Sequence, residues 1–228
     1  MSPVKVAEEP VRLDKVDGQF LPALRFAGLT PLYDPILRWI MRERAFKAQL
    51  ISQAHLGEGQ KVLDLGCGTG TLTLMAKRAY PQAELVGIDP DAEVLARARA
   101  KSARAGVTIR WDEGSATDLP YPDRSFDRIL SSLVSHHLAR PERQTAFREM
   151  WRVLRPGGEL HLVDFGPPRN LPMRLIAAAL RPLEEAADHF DGLLPRQIEE
   201  AGFASVTQTA RFDTALGPLV LLRAVKPG

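Results

Sequence analysis

One run of nine residues sets the terms for the whole chain: Val62-Leu63-Asp64-Leu65-Gly66-Cys67-Gly68-Thr69-Gly70. Val62, Leu63 and Leu65 make a short buried strand. Gly66, Gly68 and Gly70 then let the backbone turn tightly and approach a ligand with no Cβ in the way. Thr71 to Ala79 continues with helical spacing, placing Leu72, Met75, Ala76 and Ala79 on one face. A strand that breaks through glycines into a helix is the opening of a nucleotide-binding α/β fold.

The acid decides which nucleotide. A dinucleotide loop receives a pyrophosphate at the helix N-terminus, and a carboxylate at Asp64, just ahead of the first glycine, would repel it. It would attract an ammonium instead. The glycines agree, spaced G-x-G-x-G rather than the G-x-G-x-x-G of pyrophosphate binders. S-adenosylmethionine, an adenosine carrying an amino acid with a free ammonium, meets both requirements. Downstream, Glu84 to Asp89 reads as a second strand ending in an acid, where a bidentate carboxylate would accept both ribose hydroxyls. Asp89 is equally placed to cap a helix over Ala92–Ala105, whose Arg97, Arg99, Lys101 and Arg104 read as a solvated face.

The run VLDLGCGTG resembles motif I of the class I S-adenosylmethionine-dependent methyltransferases, and the resemblance extends from about Tyr33 to Phe165. Gly114 to Asp127 is similar to that family's G-D-A-x-x-L-P-F-x-D-x-S-F-D, and Arg152 to Gly158 to its R-x-L-[KR]-P-G-G. The resemblance implies a doubly wound, seven-stranded, mostly parallel sheet of the Rossmann-like methyltransferase type. The cofactor would lie across the carboxyl ends of the first, second and fourth strands. By resemblance, Asp64, Gly66, Cys67, Gly68, Thr69 and Gly70 form the cofactor loop, Asp89 takes the ribose, Pro90 the adenine face, and Ser115 and Ala116 the adenine edge. Ser132, ending the fourth strand, completes the set. Ser115 departs from the aspartate that many members carry; its hydroxyl can accept the same bond without the charge. A pair like Tyr33-Asp34 opens the family's N-terminal covering helix, so Tyr33 either touches cofactor or substrate or anchors that helix through its ring.

Taken in order, residues 1–19 read as a frayed arm and residues 33–55 as the covering helix, with Asp34-Pro35 at its start. Leu37, Met41, Ala45 and Ala48 mark one apolar face, and Ile36, Trp39, Ile40, Phe46 and Leu50 the other; such a helix is buried between layers or roofs an apolar pocket. Val107 to Trp111 is expected as the third strand and Arg128 to Ser132 as the fourth. Beyond it, Leu133 to Leu138 leaves the sheet where open α/β sheets bind ligands, and carries His136 and His137. A neutral imidazole there can take a proton from a substrate hydroxyl; each histidine also suits a loop held through backbone carbonyls. Pro141 opens a helix with Phe147, Met150, Trp151 and Leu154 at core spacing. Arg155 to Gly158 is a turn and Glu159 to Phe165 the fifth strand, near whose end Asp164 either faces substrate or caps the next segment. Residues 167–192 read as a lid insertion, which could also lie on a membrane surface. Leu193 to Ala201 is a helix stopped by Gly202, and Ala204–Ala210 with Pro218–Val225 a closing hairpin.

A chain of 228 residues with 45% apolar content suits one domain with one core. Thirty basic against 28 acidic residues, a net +2, lack the footprint of a nucleic-acid binder. The single cysteine forms no internal disulfide, no leader is read, and no apolar run reaches the roughly 18 residues of a spanning helix. A cytoplasmic protein, monomer or homodimer, with no metal is expected; a peripheral membrane contact stays open. The expected reaction is in-line transfer of a methyl group to a small apolar acceptor: a quinone precursor, a phenol or a lipid amine. The resemblance is to the ubiquinone/menaquinone-biosynthesis branch. Two rivals stand beside it. One is a binding protein that keeps S-adenosylmethionine without turnover, the other a nicotinamide-dependent oxidoreductase, which Asp64 and the glycine spacing disfavour.

Overall fold

The computed structural model describes residues 43–168, 192–214 and 217–228. The arm, Tyr33, the first part of the covering helix and nearly all of the expected lid lie outside the described residues. Seven strands form one sheet in the order β3-β2-β1-β4-β5-β7-β6. They are β1 Lys61–Leu65, β2 Glu84–Asp89, β3 Arg110–Glu113, β4 Phe126–Ser132, β5 Leu154–Phe165, β6 Ala204–Thr214 and β7 Gly217–Val225. The first five pair in parallel, and β7 runs antiparallel to both β5 and β6. The expected doubly wound, mostly parallel sheet is what the chain forms.

Among the described residues five helices flank it: α1 Glu43–Ala54, α2 Thr71–Ala79, α3 Ala92–Arg104, α4 Arg140–Val153 and α5 Leu194–Glu200. Alternation along the strands divides the core between the two faces of the sheet. Val62, Leu85, Leu130 and Val163 pack beneath α1, α2 and α3, whereas Leu63, Leu65, Ile129 and Leu162 pack beneath α4 and α5. Asp64 shares the face of Val62 and so points into the α2 layer. In α1 only one of the two expected apolar faces is inside: Phe46, Leu50, Ile51 and Ala54 are buried, while Ala45 and Ala48 are exposed.

Three boundaries differ from expectation. The third strand begins at Arg110 because Val107 is spent on the end of α3, its N–H donating to Ser102 O at 3.1 Å. Leu154 is the first residue of β5 rather than the last of the helix, though it stays fully buried. The closing hairpin is longer on both strands, and β6 accommodates its length through register shifts between Ala204 and Thr207 and between Gln208 and Ala210. At the turn before Glu159, Gly157 takes φ +73° as expected.

Candidate functional site

The loops after β1, β2, β3 and β4 all leave the carboxyl edge of the sheet, and those after β1 and β3 bond to the end of β2. Cys67 N–H donates to Ile88 O at 3.0 Å, and Gly114 N–H to Asp89 O at 3.2 Å. The three glycines of the loop have different work. A Cβ on Gly66 would fall 2.4 Å from Val134 Cγ2, and one on Gly70 2.5 Å from the Trp111 ring, so both are required by packing. Gly68 has φ +51° and nothing within 4 Å of a built Cβ. Its bare side faces open space, the cradle a ligand needs.

Asp89 sits at the floor of that cradle. Its Oδ2 accepts from Gly68 N–H at 2.8 Å and its Oδ1 from Asp91 N–H at 3.0 Å. Capping α3 falls to Asp91 instead, whose Oδ1 accepts from Glu93 and Val94 N–H, so that alternative for Asp89 is set aside. Burial raises the Asp89 carboxyl above its ordinary value, against the pull of the two backbone donors. Pro90 next to it is exposed.

Asp64 is 1% exposed and accepts a hydrogen bond from Thr73 Oγ1 in α2. It lies under the loop rather than at its surface. Burial pushes its carboxyl up to about 6, opposed first by the Thr73 hydroxyl. Cys67 is buried as well, and burial raises its thiol strongly. Thr69 is turned toward α3, where Lys101 Nζ donates to its carbonyl at 2.9 Å and its hydroxyl at 2.7 Å. With Arg99, which reaches Trp111 O at 3.1 Å, this takes two cations out of the expected solvated face. Ser115 is exposed with its hydroxyl 2.8 Å from that of Thr117, and Ala116 is half-buried against the α4-side core.

The segment after β4 carries the chemistry-bearing groups. The Ser132 hydroxyl is buried with no hydrogen-bond partner among the described residues, at the strand's carboxyl end. Leu133 follows at φ +60°, a conformation costly for a side chain of its size, and is pinned by its N–H to Val163 O at 2.9 Å. A 3₁₀ turn, Ser135–His137, then brings His136 Nδ1 to 2.8 Å from Asp164 Oδ1. The His136 side chain is 8% exposed, and His137 is exposed with its ring centroid 4.0 Å away. Asp164 is fully buried, with its carboxylate against the Ser135 N–H and the His136 ring. The same turn is approached by Arg143, a buried guanidinium of α4.

Sequence reasoning passed over Thr73 and Arg143, and read Lys101 as solvated surface. Thr73 could have been found as the polar residue one turn into α2 on the side of Asp64. Arg143 lies in a stretch of alternating charges and carries no such signal. Among the described residues no cluster of His, Cys, Asp and Glu could hold a metal, and no helix is long and apolar enough to cross a membrane.

Comparison with known proteins finds relatives for this arrangement. Residues 62–158 match a methyltransferase-domain model. The demethylmenaquinone methyltransferase of Deinococcus radiodurans is 37% identical over 160 residues, 69% of this chain and 65% of that protein. The chloroplastic 2-phytyl-1,4-beta-naphthoquinone methyltransferase of Arabidopsis thaliana is 32% identical over 147 residues, 61% of this chain and 56% of that protein. The chain thus spans less than two thirds of the curated relatives it matches. A solved SAM-dependent methyltransferase of Methanosarcina mazei shares the fold, with TM-score 0.64 at 24% identity over 78% of this chain and 97% of that one. Glycine loop, sheet order and these matches agree: residues 62–158 match a methyltransferase domain, and the chain is similar to quinone methyltransferases.

Proposed function

We propose that the protein transfers a methyl group from S-adenosylmethionine to a small, apolar, hydroxyl-bearing acceptor of the quinone-precursor or phenol class. The observation that carries this reading is Asp64, a carboxylate kept under a glycine cradle although burial penalises its charge. A negative charge in that place serves a cationic ligand. The donor, when bound, supplies a methyl group already activated on a sulfonium. The open side of Gly68 fits it, and so does the Ser132 hydroxyl, which has no partner among the described residues.

In this reading Gly66, Cys67, Gly68, Thr69 and Gly70 shape the cradle, with Thr69 acting through its tie to Lys101. Asp89 exchanges its backbone donors for the ribose hydroxyls, Pro90 covers the adenine, and Ser115 and Ala116 meet its edge. Tyr33 belongs to the roof. The chain's main work is alignment, which can supply roughly 7–11 kcal/mol of a displacement barrier. A hydroxyl acceptor must also lose a proton, and His136 takes it, with the exposed His137 lining the approach. The relatives named for demethylmenaquinone and for 2-phytyl-1,4-beta-naphthoquinone support an acceptor of the quinone class. The enzyme works in the cytosol as a monomer or homodimer.

The test is calorimetric titration with S-adenosylmethionine, followed by an assay for S-adenosylhomocysteine release against quinol, phenolic and lipid-amine pools. Binding with release on a quinol or phenol is expected. No binding would overturn the reading, and release on amines alone would reassign the acceptor.

A further inference from the structure

One row of residues crosses the sheet on the face of Asp64. The strand register pairs Leu130 with Asp64, Asp64 with Gly87 and Gly87 with Trp111, from β4 across to β3. Gly87 brings no side chain to this row, and the Trp111 ring takes its room. A Cβ built on Gly87 would fall 2.5 Å from both Cε3 and Cζ3 of that ring. One built on Gly70 would fall 2.5 Å from Cη2 and 3.1 Å from Cζ3. A single ring edge therefore fills the space left by a glycine of β2 and by the glycine that starts α2. Gly70 is the hinge of the loop at that point, with φ +74°, its N–H donating to Cys67 O at 2.9 Å and its carbonyl accepting from Leu74 N–H at 3.0 Å.

The ring is fixed in angle as well as in place. Trp111 Nε1–H donates to Ser102 Oγ at 3.2 Å, the Ser102 hydroxyl donates to Arg99 O at 2.9 Å, and Arg99 Nη2 donates back to Trp111 O at 3.1 Å. This circuit joins β3 to α3, and both Trp111 and Ser102 are buried within it. A buried indole N–H needs an acceptor; here the acceptor also sets how the ring edge meets Gly70.

Resting on the reading of S-adenosylmethionine as the donor, we infer that Trp111 is the positioning residue of the cofactor cradle. Its ring is a spacer between β2 and Gly70 that sets the height of the loop over the sheet, and so keeps Gly68 bonded to Asp89 with its bare side open. It acts from beneath, through Gly70. A smaller side chain would leave a void there. The loop, with Gly66, Gly68 and Gly70 all at left-handed φ, is the part able to move into it.

Equilibrium titration of the full chain with S-adenosylmethionine and with S-adenosylhomocysteine tests this. Trp111→Leu should raise Kd for both by about tenfold, the scale of a lost supporting residue behind a binding group, whereas Trp111→Phe, which keeps a ring beneath Gly70, should raise it no more than about threefold. Arg152→Ala, destabilised at the other end of the sheet, should leave Kd unchanged. Gly87→Ala is the second probe. Its strand backbone accepts alanine without strain, but the new methyl would press on the ring, so Kd should again rise by about tenfold. With Trp111→Leu already in place the methyl has room, and Gly87→Ala should add less than about twofold. An equal cost in both backgrounds would route the effect through Cys67 Sγ, 3.0 Å from the same methyl, and would overturn the inference. Unchanged Kd in both single variants overturns it too. Amide hydrogen exchange with no donor added gives an independent readout: Gly70 and Leu74 should exchange about tenfold faster in Trp111→Leu and in Gly87→Ala, measured against the amides of β4. No such local change overturns the inference. Faster loop exchange in the variants of a protein whose wild type binds no S-adenosylmethionine counts against the donor reading alone.

Discussion

The two ends of the sheet treat charge in opposite ways. At the amino end, Arg152 donates to Glu149, to Asp123 and to the carbonyls of Leu119 and Tyr121, all at 2.8–3.0 Å. These bonds hold Glu149 and Asp123 below the usual carboxylate range and raise the guanidinium further. Glu159 is held low by His161 and then by Arg223. Lys226 and His161 are exceptions, both pushed down by burial, although Lys226 Nζ reaches the Trp151 and Leu154 carbonyls at 2.8 Å. At the carboxyl end, Asp64 and Asp89 are both pushed toward the neutral form by burial. Pairs that favour their charged forms build the scaffold; charges kept against burial mark the place where a ligand completes the arrangement.

The sharpest way to break this contrast is Asp64→Asn. A carboxyl moved from 3.8 to about 6 opposes folding at pH 7 by about 3 kcal/mol. The sign comes from the raised value: the protonated form is favoured in the folded state, so the penalty is absent below about pH 4 and grows as pH rises through 6. The substitution should therefore stabilise the protein against urea at pH 7 by up to that amount and leave it nearly unchanged at pH 4. Affinity for S-adenosylmethionine should fall at the same time. A loss of stability at pH 7 would mean that Asp64 belongs with the scaffold.

Arg152→Ala tests the opposite end and should cost about 2–3 kcal/mol, because two main-chain carbonyls and the half-buried Glu149 lose their donor together. Cofactor affinity measured in the folded protein should not change. Asp89→Ala reverses that pattern: roughly 2 kcal/mol of donor binding should be lost, the scale of hydrogen bonds to a charged acceptor. Its melting temperature should stay close to that of the wild type. If both substitutions weakened binding equally, the division between the ends would fail.

How much of this is legible in the sequence depends on the range of the interaction. Local signals serve well: the glycine loop, the span of β2 and the Gly157 turn all come from residues within a few positions of one another. The seven-stranded order comes through the family resemblance. The hidden features join distant segments. That Asp91 rather than Asp89 caps α3 depends on Gly68 claiming the Asp89 carboxylate across 21 positions. The tie between His136 and Asp164 spans 28 positions, and nothing in either segment alone joins the two. Val107 reads as strand from its β-branched side chain, but its N–H is needed to finish the preceding helix.

His137→Ala carries the smallest expected effect and separates the two histidines. The ring is exposed, the residue's backbone N–H donates to Val134 O at 3.0 Å, and the neighbouring His136 is held from β5. The backbone bond survives truncation, and so does the Asp164 anchor, so the turn keeps its shape. The loss includes a ring face 4.0 Å from the His136 ring. Donor affinity should stay unchanged, KM for the acceptor should rise, and turnover should fall about fivefold, or about 1 kcal/mol. His136→Gln should be far more damaging, since it removes the base. If His137→Ala instead abolished turnover while His136→Gln was tolerated, the proton would pass through the exposed ring, and His136, tied to Asp164, would be a loop anchor of the same kind as Arg152 at the other end.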